Sequence, residues 1–451
     1  MNKKDQYVAA IDIGTTKIVA IVGKKNENGK IEILGLSKAL SKGVKRGVVL
    51  NIEETVNAIQ TTVDDVQKRS GILFSEVFVG IAGQHIKSMK NRGYIMRDAY
   101  EDEIKKEEVF RLIEDMHKIH IDIGEEIIHV IPQNFIVDNE TGVKSPIGMC
   151  GRRLEANFHI VIGQVAAAKN IEKCIRKANL SVKDMILEPL ASSDAVLTED
   201  EKEAGVVLVD IGGGTTDVAV YYDNIIRHTA VIPLGGNVVT KDIKEGCAIL
   251  QRHAEQLKIQ YGSALGDIAP EDKVVSIPGI SGREPKEISF RSLAYIIQSR
   301  MEEIIDFVNF EIQNSGYADK LAAGVVITGG GAMLKHLPQL MKFKTAMDVR
   351  IGFPNEHLAG TSKNEINQPM YATSVGLIMR GFDYIETYKK SFSAGRQEEF
   401  VRPPRIEVVE KEEAEVNDMD PEYQEEPKTS LTDKIKMMMS KMFEVEDQTI
   451  N

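Results

Sequence analysis

Along most of the chain, short runs of β-branched residues alternate with longer stretches whose apolar positions recur at helical spacing. Residues 8–11, 18–22, 77–81, 206–209 and 325–328 are apolar runs of strand length, and residues 53–70 carry an amphipathic helical pattern. Such runs, bounded by glycine and polar turns, predict buried strands, and their alternation with helices predicts an α/β fold. A weak internal repeat adds to this. VAAIDIGTTKIVAIV at 8–22 and VVLVDIGGGTTDVAVYY at 206–222 each read as a buried strand, Asp-Ile-Gly, a Gly/Thr turn and a second strand. Two copies about 200 residues apart predict two similar domains facing each other. A third glycine turn, in VVITGGGAML at 325–334, follows another apolar strand and leads toward a predicted helix.

Composition narrows the class without changing that picture. The 451 residues are 42% hydrophobic and 27% charged, room for two to four domains at roughly 100–200 residues each. No apolar run reaches about 18 residues, so no spanning helix is expected. The N-terminal MNKKDQYVAAIDIG has no apolar signal region, which predicts a protein that stays in the cytoplasm. Cys150, Cys174 and Cys247 form no C-x-x-C pair and are expected to be reduced and at or near the core. The nine histidines are scattered and read as surface or packing residues.

The net charge of −12 argues against a nucleic-acid partner. Twelve carboxylates against five basic residues give 396–428 a charge of −7, leaving −5 for the rest. With Pro403, Pro404, Pro421 and Pro427 and almost no aromatics, this segment predicts a disordered acidic linker after a body ending near Tyr388.

The glycine turns are where phosphate chemistry is expected. Backbone N–H groups converging on an anion need the close approach and the unusual backbone angles that glycine permits. Gly14, Thr15 and Thr16 supply one such turn, and Gly212, Gly213, Gly214 and Thr215 another. Asp12 and Asp210 end the strands before them. A carboxylate there is costly to bury unpaired, and a hydrated magnesium ion in a cleft would suit both. Lys17 follows the first turn, where an ammonium can reach a phosphate oxygen. One D-x-G turn alone could be a plain hairpin; two matched copies favour the phosphate site. No G-x-x-x-x-G-K-[ST], helix-opening G-x-G-x-x-G, G-x-S-x-G or H-E-x-x-H occurs, so the common competing chemistries lack support.

DIGTTK at 12–17, LEPLASSDAV at 187–196, DIGGGTTD at 210–217, TGGGA at 328–332 and YATSVGL at 371–377 resemble the five-part nucleotide site of the actin superfamily. That resemblance implies an α/β actin-like ATPase fold, two duplicated ribonuclease-H-like domains around an ATP cleft. IIHVIPQNFIVDNETGVKSPIGMCGRRLEANFHIVIG at 127–163 is similar to the insert distinctive of FtsA, a family of actin-like bacterial division proteins. GGNVVTKDIKEG at 235–246, AEQLKIQYG at 254–262 and RMEEIIDFVNFEI at 300–312 fit the same family. The resemblance spans about 7–379 together with a terminal helix.

The resemblance implies roles residue by residue. Asp12 and Asp210 would position Mg2+, with Gly14, Thr15, Thr16, Lys17, Gly212, Gly213, Gly214 and Thr215 holding the phosphates. Glu188 would orient the attacking water, with Asp217 and Asp210 as further candidates for a hydrolysis that is slow at most. Gly236, Glu255, Lys258, Gly330 and Gly331 would surround the adenosine, with a solvated helix face as the lesser alternative for Glu255 and Lys258. The implied domains are 1–84 with 164–201 and a late helix near 371–388, an inserted subdomain 85–163, and a second domain 202–384 with a nested lobe at about 236–310. Arg300 and Glu303 match the helix with which the family binds FtsZ, the tubulin-like ring protein. The insert implies contacts with later division proteins, and the fold implies self-assembly into filaments.

The acidic linker, 389–429, is followed by a helical pattern at 430–443. At 100° per residue Leu431, Ile435, Met438 and Met442 fall within roughly 60° of one another, Met439 and Phe443 widen the stripe, and Lys434 and Lys441 edge it. Ser430 can cap the run, with Asp433 three residues on. Periodicity alone leaves membrane binding and docking on a protein open. The resemblance favours a peripheral helix on the cytoplasmic side of the membrane at the division site, weakened by the acidic EVEDQTIN tail. An actin-fold kinase or chaperone, or a pilus-assembly relative, shares the phosphate turns and remains the alternative.

Overall fold

The computed structural model describes residues 6–98, 101–279, 284–355, 357–359 and 365–393. The terminal helix expected at 430–443, and the acidic linker beyond 393, lie outside these residues.

Two five-stranded sheets share one winding. In the first, Tyr7–Ile13, Lys17–Lys25 and Ile31–Leu40 form an antiparallel meander, and Glu76–Ile81 and Ser181–Leu187 extend it in parallel on the other side of Tyr7–Ile13. In the second, Val206–Ile211, Thr216–Tyr222 and Ile225–Ile232 form the meander, with Val325–Thr328 and Val349–Ile351 parallel to Val206–Ile211. The sequence repeat thus marks a duplicated α/β unit. Strands buried on both faces carry continuous apolar runs, and Val207, Leu208 and Val209 in the second sheet are sealed from solvent just as Ile11, Ile18 and Ile21 are in the first.

A helix pair joins the two sheets. Glu188–Val196 is buried along almost its whole length and meets Ala372–Ser393 so closely that a Cβ on Gly376 would collide with the Ala191 carbonyl. Leu190, Ala195, Val375 and Phe382 from these helices share one core with Ala10 of the first sheet and Leu208 of the second. The last helix continues past the expected end of the body at Tyr388 to Ser393. Nothing between those positions interrupts it, and the next glycine is Gly395.

A third, antiparallel sheet is inserted after Glu76–Ile81. Its strands are ordered Lys87–Met96, Arg153–Gln164, Glu125–Val137, Glu140–Val143. The helix Lys106–Met116 lies on it, placing Leu112 and Met116 among Phe135, Leu154 and Phe158 in a separate core. Elsewhere the expected domain edges cut elements: 201 falls within the helix Glu199–Ala204 and 310 within Phe290–Ser315. Cys174 and Cys247 are buried, but Cys150 is exposed, correcting for that residue the expectation of a place at or near the core. It lies in a loop of the insert, held by one bridge to Glu103, where no apolar period argues for burial.

Candidate functional site

The two glycine turns face each other across a cleft. It is lined by Asp12, Gly14–Lys17 and Glu188 on one side and by Asp210, Gly212–Thr215 and Asp217 on the other. The turns interlock: a Cβ on Gly213 would strike the Thr16 side chain, and one on Gly214 would strike Thr15. This changes the reason for the glycines. None of Gly14, Gly212, Gly213 and Gly214 takes a left-handed backbone, so at 213 and 214 glycine serves close approach between domains rather than unusual angles. The left-handed glycines of the lining are Gly47, at φ +74°, and Gly329, at φ +82°, where a Cβ would run into the Asp210 carboxylate.

Four carboxylates share this cleft. Asp210 and Asp217 sit directly opposite each other on antiparallel strands. Asp12 accepts from Ser374 Oγ at 3.1 Å, and Asp210 Oδ2 accepts from Ser192 Oγ at 2.6 Å and Thr373 Oγ1 at 3.3 Å. Asp217 Oδ2 accepts from Thr215 Oγ1 at 3.1 Å, while its buried Oδ1 has no partner. Burial raises the pKa of each: Asp12 and Asp210 above the ordinary value, Glu188 well above it, and Asp217 to about 8. The charges of Asp12, Asp217 and Asp210 push Glu188 further up, and the Lys17 ammonium opposes the rise at Asp12, Asp210 and Glu188.

Such a cluster has the chemistry of a cation site facing an anion site. Among the described residues no three His, Cys, Asp or Glu converge closely enough to chelate a metal alone. A cation here would rest on one or two carboxylates and keep waters or phosphate oxygens, as magnesium does. The unpartnered Asp217 Oδ1 and the single ammonium among four acids fit that group.

The other expected residues divide. Gly330 lines the cleft, whereas Gly331 packs on the Ile211 side chain. Gly236, Glu255 and Lys258 form a polar cluster behind the second turn. Lys258 Nζ donates to Gly236 O at 2.9 Å and Glu255 Oε2 at 2.8 Å, and the Gly236 amide donates to Gly212 O at 2.9 Å. This is more than a solvated helix face, because Lys258 is tied to the helix Gly236–Gly246 that abuts the turn.

Arg300, expected at a partner surface, is partly exposed and already paired within the protein. Its guanidinium grips both Asp242 oxygens, at 2.5 and 3.1 Å, and also pairs with Glu303. Sequence reading assigned no role to Ser192, Thr373 or Ser374, although they stand inside the quoted LEPLASSDAV and YATSVGL segments, nor to Gly47, whose amide donates to Thr15 Oγ1 at 3.1 Å. The positions of Leu431, Ile435, Met438, Met439, Met442 and Phe443 lie outside the described residues.

The profile described as "Cell division protein FtsA" matches residues 207–376, and that described as "SHS2 domain inserted in FTSA" matches residues 83–162. The chain is 41% identical over 377 residues to the cell division protein FtsA of Pseudomonas aeruginosa, covering 83% of this chain and 89% of that protein. It is 35% identical over 383 residues to FtsA of Escherichia coli K12, covering 83% and 90%. Among solved structures, a chain of the PilM-PilN type IV pilus biogenesis complex superposes with a TM-score of 0.60 at 14% identity, over 83% of this chain and 98% of that one. MreB5 of Spiroplasma citri bound to ADP gives 0.51 at 14% identity, over 86% and 99%. These structural likenesses speak to fold alone, and the fold is that of the actin-like ATPases.

Proposed function

The chain belongs to the FtsA family of cell division proteins, and from that premise we propose that it is an ATP-holding, self-assembling adaptor. It sits on the inner face of the cytoplasmic membrane at the division site, anchors FtsZ polymers and recruits later division proteins through its inserted subdomain. The observation that carries the nucleotide part is the interlocked pair of turns above four carboxylates, three of them buried and one of those with an unpartnered oxygen. Gly14, Thr15, Thr16, Lys17 and Gly212–Thr215 hold the phosphates, and Gly236, Glu255, Lys258, Gly330 and Gly331 lie toward the nucleoside. Asp12 and Asp210 would hold a magnesium ion, which would supply positive charge between the acids and the phosphates.

Glu188 is the first choice to orient a water for hydrolysis, with Asp217 second. Turnover is slow, because a nucleotide that stabilises a filament contact acts by staying bound. The helix at 430–443 supplies the membrane contact, and about 40 linker residues span on the order of 35 Å root-mean-square, enough to hold the body off the lipid. The test is co-sedimentation of the full chain and FtsZ with anionic liposomes. FtsZ should pellet only when this protein is present, and more strongly with Mg·ATP. FtsZ left in the supernatant under all conditions would reject the adaptor reading, and rapid ATP turnover stimulated by a small metabolite would favour a kinase.

A further inference from the structure

Ser181–Leu187 is the outer strand of the first sheet, so the amides on its free side have no neighbouring strand. Leu187 is fully buried, and a buried amide without an acceptor costs about 1–3 kcal/mol. The acceptor comes from the inserted sheet: the Leu187 N–H donates to His129 Nε2 at 3.0 Å. Leu187 is also the N-cap of the helix Glu188–Val196, so this bond fixes the backbone one residue before Glu188. Enclosure by protein, together with the nearby Arg380 and His117 charges, pushes His129 down to about 4. The ring is therefore neutral at pH 7, with a lone pair free on Nε2 once Nδ1 carries the proton.

The same sheet also grips the outer strand of the second domain. Gln133 Nε2 donates to Ile226 O at 2.7 Å, Ser88 Oγ donates to Thr229 O at 2.8 Å, and His159 Nε2 lies 2.8 Å from Thr229 Oγ1. The insert is thus bonded to both domains that form the cleft, and its bond to the Glu188 segment runs between residues 58 positions apart.

We propose that His129 is a positioning residue for the nucleotide site, holding the Leu187 amide so that Glu188 is presented to the cleft, and that through it the inserted subdomain sets the hydrolytic competence of the site. The proposal rests on the reading of the cleft as an ATP site. A partner that moves the insert would alter this bond, and ATP would by linkage alter the affinity for that partner.

The test uses the full chain with His129→Leu, which removes the acceptor, and His129→Gln, which places an amide oxygen near the Nε2 position. Labelled-ATP affinity, single-turnover hydrolysis and melting temperature are measured on each. The leucine variant should hydrolyse about ten- to a hundredfold more slowly, with affinity within about twofold of wild type, since a misplaced Glu188 affects the chemical step rather than ground-state binding. The glutamine variant should recover most of the rate. Glu188→Gln combined with His129→Leu should be no slower than Glu188→Gln alone, because His129 acts through that carboxylate.

Wild-type hydrolysis in the leucine variant, equal losses in the leucine and glutamine variants, or additive losses in the double variant would each overturn the proposal. So would a wild-type protein that binds ATP and leaves it intact. A wild-type protein that does not bind labelled ATP would overturn the nucleotide reading itself, and that result is read before any variant is compared.

Discussion

Replacing Gly213 by alanine isolates one contact between the two domains. The added Cβ would strike the Thr16 Cγ2 methyl, with Thr16 Oγ1 at 3.1 Å and Cβ at 3.2 Å also inside ordinary contact distance. Inserting a methyl group into a closed contact costs about 1–3 kcal/mol. At 1.4 kcal/mol per decade, Mg·ATP affinity should fall about 5- to 150-fold. The strain belongs to the closed cleft and to neither hydrophobic core, so the nucleotide-free protein escapes it by letting the turns part. Its melting temperature should therefore stay near that of wild type. Thr16→Ser deletes Cγ2 and keeps the hydroxyl, so Gly213→Ala with Thr16→Ser should regain much of the lost affinity. Titration of a fluorescent ATP analogue into the four proteins measures this cycle. Wild-type affinity in Gly213→Ala, or a second substitution that restores nothing, would refute the interlocked-turn argument.

Asp217 has its folded pKa raised to about 8, so its stabilising share is complete below the unfolded value near 4 and is lost as pH rises through about 8. His85, His129 and His159 are shifted down and titrate below neutrality; the melting temperature of nucleotide-free protein should therefore fall between about pH 7 and 8, and a flat profile, or the same slope in Asp217→Asn, would contradict the assignment. Arg300→Glu leaves Asp242 facing a like charge and should cost about 1 kcal/mol of stability, visible in thermal unfolding. Glu303→Ala keeps the Arg300–Asp242 pair without adding a like charge and is the cleaner probe of FtsZ binding, which should weaken while ATP affinity holds; unchanged FtsZ binding would reject that surface. Met438→Glu, or truncation after Lys428, should release the protein from anionic vesicles without changing ATP affinity, and persistent vesicle binding would count against a membrane-lying helix.

The sequence by itself determined the strands, the duplication and the turn aspartates, because each is written locally. A strand buried on both faces needs an unbroken apolar run, and both copies repeat Asp-Ile-Gly at the same place after one. Five quoted segments were enough to identify the fold and, with the insert, the family. What stands opposite a given face was not legible, since periodicity says which side of an element is covered and not what covers it. Only the tertiary structure decided that Gly213 and Gly214 answer to Thr16 and Thr15 of the other domain, so that glycine there is a matter of space and not of backbone angle. Contacts between distant segments likewise gave Asp12 and Asp210 their hydroxyl partners from the joining helices, 362 and 18 positions away. They paired Arg300 with Asp242, and set His129, a surface or packing residue by sequence, against the amide that precedes Glu188. Packing between elements far apart in the chain decides such pairings, and no local pattern encodes them.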